Sequence, residues 1–188
     1  WGYTTVGINV DKVKQALGST PIPDNAWDLV FKPEYASTLK KCGVSILDSA
    51  SEVMPIALHY IGKDPYSKEQ EDYTEAGKML KAVRPHVTRF VGSGSDYIDQ
   101  MAKGSICVAL GWSGDIMIAS NRAKQNKTGQ NIQVLVPKSG GLLFFDVMAI
   151  PKDAPNPDAA HAFIAYLLDP EVIAGISNYV FYANANQA

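Results

Sequence analysis

The sequence predicts an α/β protein. Short apolar runs alternate with stretches of helical spacing. Glycine and proline punctuate them, at Gly18, Gly62 and Pro85 among others. Of the 188 residues, 46% are hydrophobic and 19% charged, the balance of a chain that buries a core.

In chain order, residues 6–10 read as a strand, and Val13 and Leu17, closed by Gly18, as a short helix. Residues 44–47 are a second strand. Ser51 is expected to cap a helix through Tyr60 that Gly62 ends, with Pro55 near its first turn, where proline is tolerated. Residues 72–83 are amphipathic, with Tyr73, Ala76, Leu80 and Val83 on one side, and Pro85 ends them. Residues 87–91 form a strand, Gly92-Ser93-Gly94-Ser95 turns the chain, and residues 96–103 are helical. Residues 106–110 are five apolar residues in a row, the mark of a buried strand. Gly111-Trp112-Ser113-Gly114-Asp115 then leads into a helix ending near Lys127. Residues 134–136 and 144–150 read as strands. Asn156-Pro157-Asp158 starts a helix with a cap, a proline at the first position and an acid in the first turn. That helix runs to Leu168, Asp169-Pro170 breaks it, and a short helix follows to about Asn178. The sequence has no internal repeat and no low-complexity segment.

Charge and composition exclude several functions. The 17 basic and 19 acidic residues give a net charge of -2, and no basic cluster of the kind that tracks phosphates is present. The densest basic stretch, residues 122–127, reads as the polar end of a helix. No apolar run reaches the ~18 residues a membrane span needs. The start, Trp1-Gly-Tyr-Thr-Thr-Val-Gly, lacks the features of a signal peptide. His59, His86 and His161 are scattered, without metal-ligand spacing. Cys42 and Cys107 do not make a zinc site, which needs four ligands in close pairs. They are either two buried thiols or one disulfide in an oxidising compartment.

Three carboxylates draw notice. Glu52 and Asp115 lie in first turns of helices, where the dipole favours the ionised form. For either alone, an ordinary N-terminal helix acid is the simpler reading. Asp146 interrupts the apolar run Leu142-Leu-Phe-Phe-Asp-Val-Met-Ala-Ile. A buried carboxylate needs a partner or a cleft where a cation arrives. Trp112 precedes Asp115 by three residues. Phe144 precedes Asp146 by two, which in a strand sets ring and acid on one face. A ring beside an acid suits a ligand with an ammonium group and a hydrocarbon chain. Core packing is the ordinary alternative for both rings.

Enzyme readings find little support. Gly-Trp-Ser-Gly-Asp is not the G-x-S-x-G elbow, and no P-loop or G-x-G-x-x-G is present. A hydrolase using Asp115 or Asp146 as base would need a nucleophile, and the sequence offers no obvious one.

Six stretches carry a family resemblance. They are Trp1-Gly-x-Thr-x-x-Gly-Ile-Asn-Val-Asp-Lys-Val, Cys42-Gly-Val-Ser-Ile-Leu-Asp, Ile61-Gly-Lys-Asp-Pro, Ile106-Cys-Val-Ala-Leu-Gly-Trp-Ser-Gly-Asp, Phe144-Phe-Asp-Val and Val180-Phe-Tyr-Ala-Asn-Ala-Asn. Together they resemble the spermidine/putrescine-binding proteins, the periplasmic receptors of ABC importers, and chiefly the putrescine-preferring ones. The resemblance covers essentially the whole chain.

That resemblance implies a type II periplasmic-binding-protein fold: two α/β lobes joined by hinge strands that close over the ligand. It implies that amines meet Glu52, Asp115 and Asp146, and that the ligand's chain lies between Trp112, Phe144 and Tyr182. Tyr182 enters on the resemblance alone. Cys42 and Cys107 match a pair that family members bridge. Further implications are a periplasmic location, a polyamine ligand (putrescine first, spermidine second), a membrane permease as partner, and neither cofactor nor catalysis. A polyamine sensor on the same fold is the alternative. Family members are nearly twice as long, so the fold is expected to be only partly present, as a fragment or a swapped assembly. Residues 1–122 then make most of lobe two, 123–181 the hinge return and part of lobe one, and 182–188 the start of a crossing back.

Overall fold

Strand β1 (Gly2–Asn9) is buried at every position except Tyr3. A strand so enclosed needs partners for its backbone groups on both edges. One edge pairs antiparallel with β4 (Val108–Trp112), setting Thr4 opposite Trp112 and Ile8 opposite Val108. The other edge is shared end to end. There β5 (Ile132–Val134) takes the segment from Gly7 to Asn9, and β6 (Leu142–Phe144) takes the segment from Gly2 to Thr4. Strand β2 (Val44–Leu47) lies parallel to β4, and β3 (Arg89–Val91) parallel to β2. The order is β3-β2-β4-β1-β5, with β6 on the remaining end of β1. The computed structural model describes residues 1–186, so residues 187 and 188 of the expected crossing segment lie outside the described residues.

The helices cover this sheet. Helix α1 (Val10–Leu17) follows β1, capped by Asn9, whose side chain accepts the Lys12 N–H. Helices α2 (Asp28–Phe31) and α3 (Pro33–Leu39) occupy a stretch where the sequence suggested no element. Both are too short to show a periodic stripe. They are held by burial of Trp27, Leu29, Val30, Phe31 and Leu39. Helix α4 (Ala50–Tyr60) follows β2. Then come α5 (Gln70–Val83), a single 3-10 turn (Arg84–His86), α6 (Gly94–Lys103) after β3, and α7 (Ser113–Gln125) after β4. From β2 the chain crosses outward to β3, then back past β2 to β4. The carboxyl ends of β2 and β4 therefore flank the kind of topological switch where α/β folds bind ligands.

Several expectations shift. The strand expected over 6–10 is Gly2–Asn9, with Val10 already in α1, and the one expected over 134–136 is Ile132–Val134. The strand expected over 144–150 is instead β6, which ends at Phe144. Its last partner is Gly2, where β1 begins, so the run beyond Phe144 has no strand to pair with. Asp146 is consequently exposed rather than buried in a strand. The strand expected over 106–110 slides to Val108–Trp112, because the ladder with β1 continues to Thr4. Helix α4 begins two residues early, after Ser49 rather than Ser51, which sets Pro55 inside the helix.

The buried apolar core runs from Val6 to Ile132. Helices α8 (Pro157–Leu167) and α9 (Pro170–Val180) bury no residue, and Phe163, Tyr166 and Tyr179 stand exposed on them. Among the described residues no single helix is long and apolar enough to cross a membrane.

Cys42 and Cys107 form a disulfide with their Cα atoms 5.4 Å apart. It ties together the starts of β2 and β4, whose far ends carry Glu52, Trp112 and Asp115. Their sequence separation of 65 makes the closed loop long. Replacing both cysteines with alanine is expected to lower unfolding free energy by ~4 kcal/mol, read by urea denaturation. An unchanged midpoint would show that the bridge does not constrain the chain.

Candidate functional site

Glu52 sits in the first turn of α4, just beyond β2. Its Oε2 accepts the Thr4 hydroxyl at 2.8 Å and the Trp112 indole N–H at 2.7 Å. Thr4 and Trp112 are direct partners across the β1–β4 ladder, so the strand register itself builds this seat. Among the described residues Oε1 takes no bond, which leaves one carboxylate oxygen for a ligand.

Asp115 is held differently. Its Oδ2 accepts the Tyr97 hydroxyl at 3.0 Å and its Oδ1 the Tyr182 hydroxyl at 2.8 Å. It lies in the first turn of α7, and a Cβ built on Gly94, the first residue of α6, would fall 1.7 Å from Oδ2. The carboxylate therefore rests at the start of two helices, where aligned peptide dipoles favour negative charge. Burial pushes the Tyr97 phenol well above the ordinary phenol value, and the Asp115 charge adds to the rise. Tyr182 moves the same way, first through burial and then through Asp115. Both phenols stay protonated and remain donors.

Tyr182 is seated on glycines. A Cβ on Gly114 would meet its ring at 2.5 Å, and one on Gly2 at 2.8 Å. Ala183 donates its N–H to the Trp1 carbonyl at 3.2 Å and fixes this approach. The Phe144 ring meets Tyr182 edge-on, with centroids 6.1 Å apart.

A cleft of about 410 Å³ opens between these groups, lined by Glu52, Trp112, Leu142, Phe144, Asp146 and Tyr182. Five of the six residues singled out in the sequence line it. The sixth, Asp115, is bonded to the Tyr182 wall. Phe144 and Asp146 share the cleft although no strand sets them on one face. The lining holds two carboxylates and three rings, and no Lys or Arg. Such a surface suits a cation with an apolar stem. Among the described residues no cluster of His, Cys, Asp and Glu is arranged to hold a metal ion.

Thr4, Tyr97 and Leu142 were not singled out in the sequence. A tyrosine on the apolar face of a helix announces burial, and a buried hydroxyl announces a partner. Which partner Tyr97 finds depends on how α6 lies against β4, and the sequence holds no local sign of that.

A family model described as bacterial extracellular solute-binding protein matches residues 1–188. The putrescine-binding periplasmic protein PotF of Escherichia coli is 51% identical over 189 residues, spanning 100% of this chain and 50% of that protein. The putrescine-binding periplasmic protein SpuD of Pseudomonas aeruginosa is 45% identical over 188 residues, again 100% of this chain and 50% of the other. Among solved structures, the spermidine/putrescine ABC transporter substrate-binding protein PotD of Streptococcus pneumoniae superposes with a TM-score of 0.71 at 27% identity. That match covers 98% of this chain and 51% of the other. The chain spans about half the length of the relatives it matches.

The raised phenols make alkaline stability testable. Tyr60 joins Tyr97 and Tyr182, raised by burial and by its hydrogen bond to Asp28. A phenol raised on folding contributes stability that is full below its unfolded value near 10 and fades as pH climbs above it. Of the nine tyrosines, these three are expected to ionise only as the chain unfolds. Absorbance at the phenolate band should therefore show a late phase that coincides with loss of circular dichroism. A titration completed while the fold remains intact would contradict this.

Proposed function

The chain belongs to the bacterial extracellular solute-binding protein family, and on that premise we propose that it is the polyamine-capturing part of an ABC import receptor. The observation that carries this reading is the cleft itself. Carboxylates and aromatic rings converge there with no basic side chain to neutralise them. Putrescine presents two ammonium groups on a four-carbon chain. Glu52 and Asp146 receive ammonium groups directly, and Asp115 contributes its charge through Tyr182. Trp112, Phe144 and Tyr182 cover the methylenes. Removing four methylenes from water contributes ~3 kcal/mol, and a well-placed cation–π contact adds ~1–2 kcal/mol. A monoamine would leave one acid unanswered, a loss that selects for diamines.

The role is capture and delivery without chemistry. Residues 1–122 form most of one lobe, 123–181 the hinge return and part of the second, and Tyr182 lies where the chain crosses back. Ligand bridging two lobes shifts an open–closed equilibrium, and the closed form is what a membrane permease would recognise. The periplasm suits this role, and the Cys42–Cys107 bridge suits an oxidising compartment. Relatives of twice the length supply the remainder of the second lobe, so binding is a property of the protein at that length.

The test is calorimetric titration of putrescine and spermidine into the protein at the full length of its relatives. Asp146→Asn and Glu52→Gln are each expected to weaken putrescine binding by about 10- to 100-fold, the range for losing a hydrogen bond to a charged group. Wild-type protein that ignores every polyamine would overturn the receptor reading. Variants that bind as tightly as wild type would overturn the assignment of the acids.

A further inference from the structure

We propose that Tyr97 is the positioning residue of this cleft, a single buried hydroxyl that fixes Trp112 and Asp115 together. The inference rests on the receptor reading above and deepens it. Tyr97 lies on α6 and is fully buried. Its oxygen accepts the backbone N–H of Trp112 at 2.9 Å and donates to Asp115 Oδ2 at 3.0 Å. The N–H supplies one side of the hydroxyl, so its own proton is committed to the carboxylate.

The backbone at Trp112 needs such a partner. The parallel ladder between β2 and β4 ends with Ile46 opposite Leu110, two residues short of Trp112. The Tyr97 hydroxyl takes up the N–H beyond that point. The Tyr97 ring also lies against the indole, with centroids 6.4 Å apart and planes tilted by 51°. Glycines clear the way on both sides. A Cβ on Gly111 would sit 2.6 Å from the Tyr97 ring, and one on Gly94 would strike Asp115 Oδ2.

From this one oxygen two arms spread into the cleft. One runs through Trp112 to Glu52, which accepts the indole N–H at 2.7 Å. The other runs through Asp115 to Tyr182 at 2.8 Å. Four groups that would hold a diamine, Trp112, Glu52, Asp115 and Tyr182, thus share a common anchor that touches no ligand. Tyr60 offers a matched comparison. Its half-buried hydroxyl also donates to a carboxylate, Asp28 Oδ1, at 2.8 Å, but neither residue lines the cleft.

The experiment compares Tyr97→Phe with Tyr60→Phe in the protein at the full length of its relatives. Phenylalanine keeps the ring that fills the core, so both variants should fold. Tyr97→Phe is expected to weaken putrescine binding about tenfold, the effect of leaving a buried donor and acceptor without a partner. Tyr60→Phe should lose comparable thermal stability and keep its affinity. In an Asp115→Asn background the Tyr97→Phe loss should shrink to about twofold or less, because coupled residues do not add. A merely structural role would instead give the same loss in both backgrounds. Amide hydrogen exchange at Trp112 in the ligand-free protein should quicken in Tyr97→Phe alone. Unchanged exchange at Trp112, or equal losses in both backgrounds, would overturn the inference. If the wild type bound no polyamine, the receptor reading would fall while the exchange measurement still decided the role of Tyr97.

Discussion

The pairing of β1 with β4 is the constraint on which the rest depends. That register sets Thr4 beside Trp112, and both donate to the same oxygen of Glu52. It brings the end of β4, and so Asp115, to the end of the sheet where β6 meets Gly2. A slip of one residue would turn every side chain of β1 to the opposite face. Thr4 would leave Glu52, and Val6 and Ile8 would leave the core. The same hydrogen bonds therefore hold the fold and aim the acids.

The cleft is negative by construction rather than by accumulation. The whole chain carries a net charge of only -2. What makes the site distinctive is the manner in which each acid is held. Glu52 is braced by neutral donors on one oxygen and left open on the other. Asp115 is met by two phenols that burial keeps protonated. Asp146 stands exposed and owes its position to the loop after β6. Neutral donors steady a carboxylate without cancelling its charge, so the field remains available to an arriving cation.

Much of this was legible in the sequence, and the limits have physical causes. The strands and longer helices announce themselves by apolar runs and caps. The first-turn acids Glu52 and Asp115 follow from reading where strands hand over to helices. The α2–α3 stretch was silent because helices of a few residues are specified by what they pack against. Asp146 was misjudged as strand-borne because an apolar run says nothing about whether a partner strand exists to receive it. Tyr182 came only through family resemblance, and Tyr97 not at all. Their roles arise from contacts between residues 15 to 67 positions apart, which no local pattern encodes.

The disulfide makes the firmness of the fold depend on the redox state around it. Cys42 and Cys107 stand at the starts of β2 and β4, which lie side by side in the sheet. Where thiols are kept reduced, the same polypeptide lacks that latch and yields more readily to forces that thread or unfold it. Where thiols are oxidised, the latch joins the two strands whose far ends carry the acids. One covalent bond thus ties the firmness of the cleft to the oxidation state of two thiols at the opposite end of the sheet.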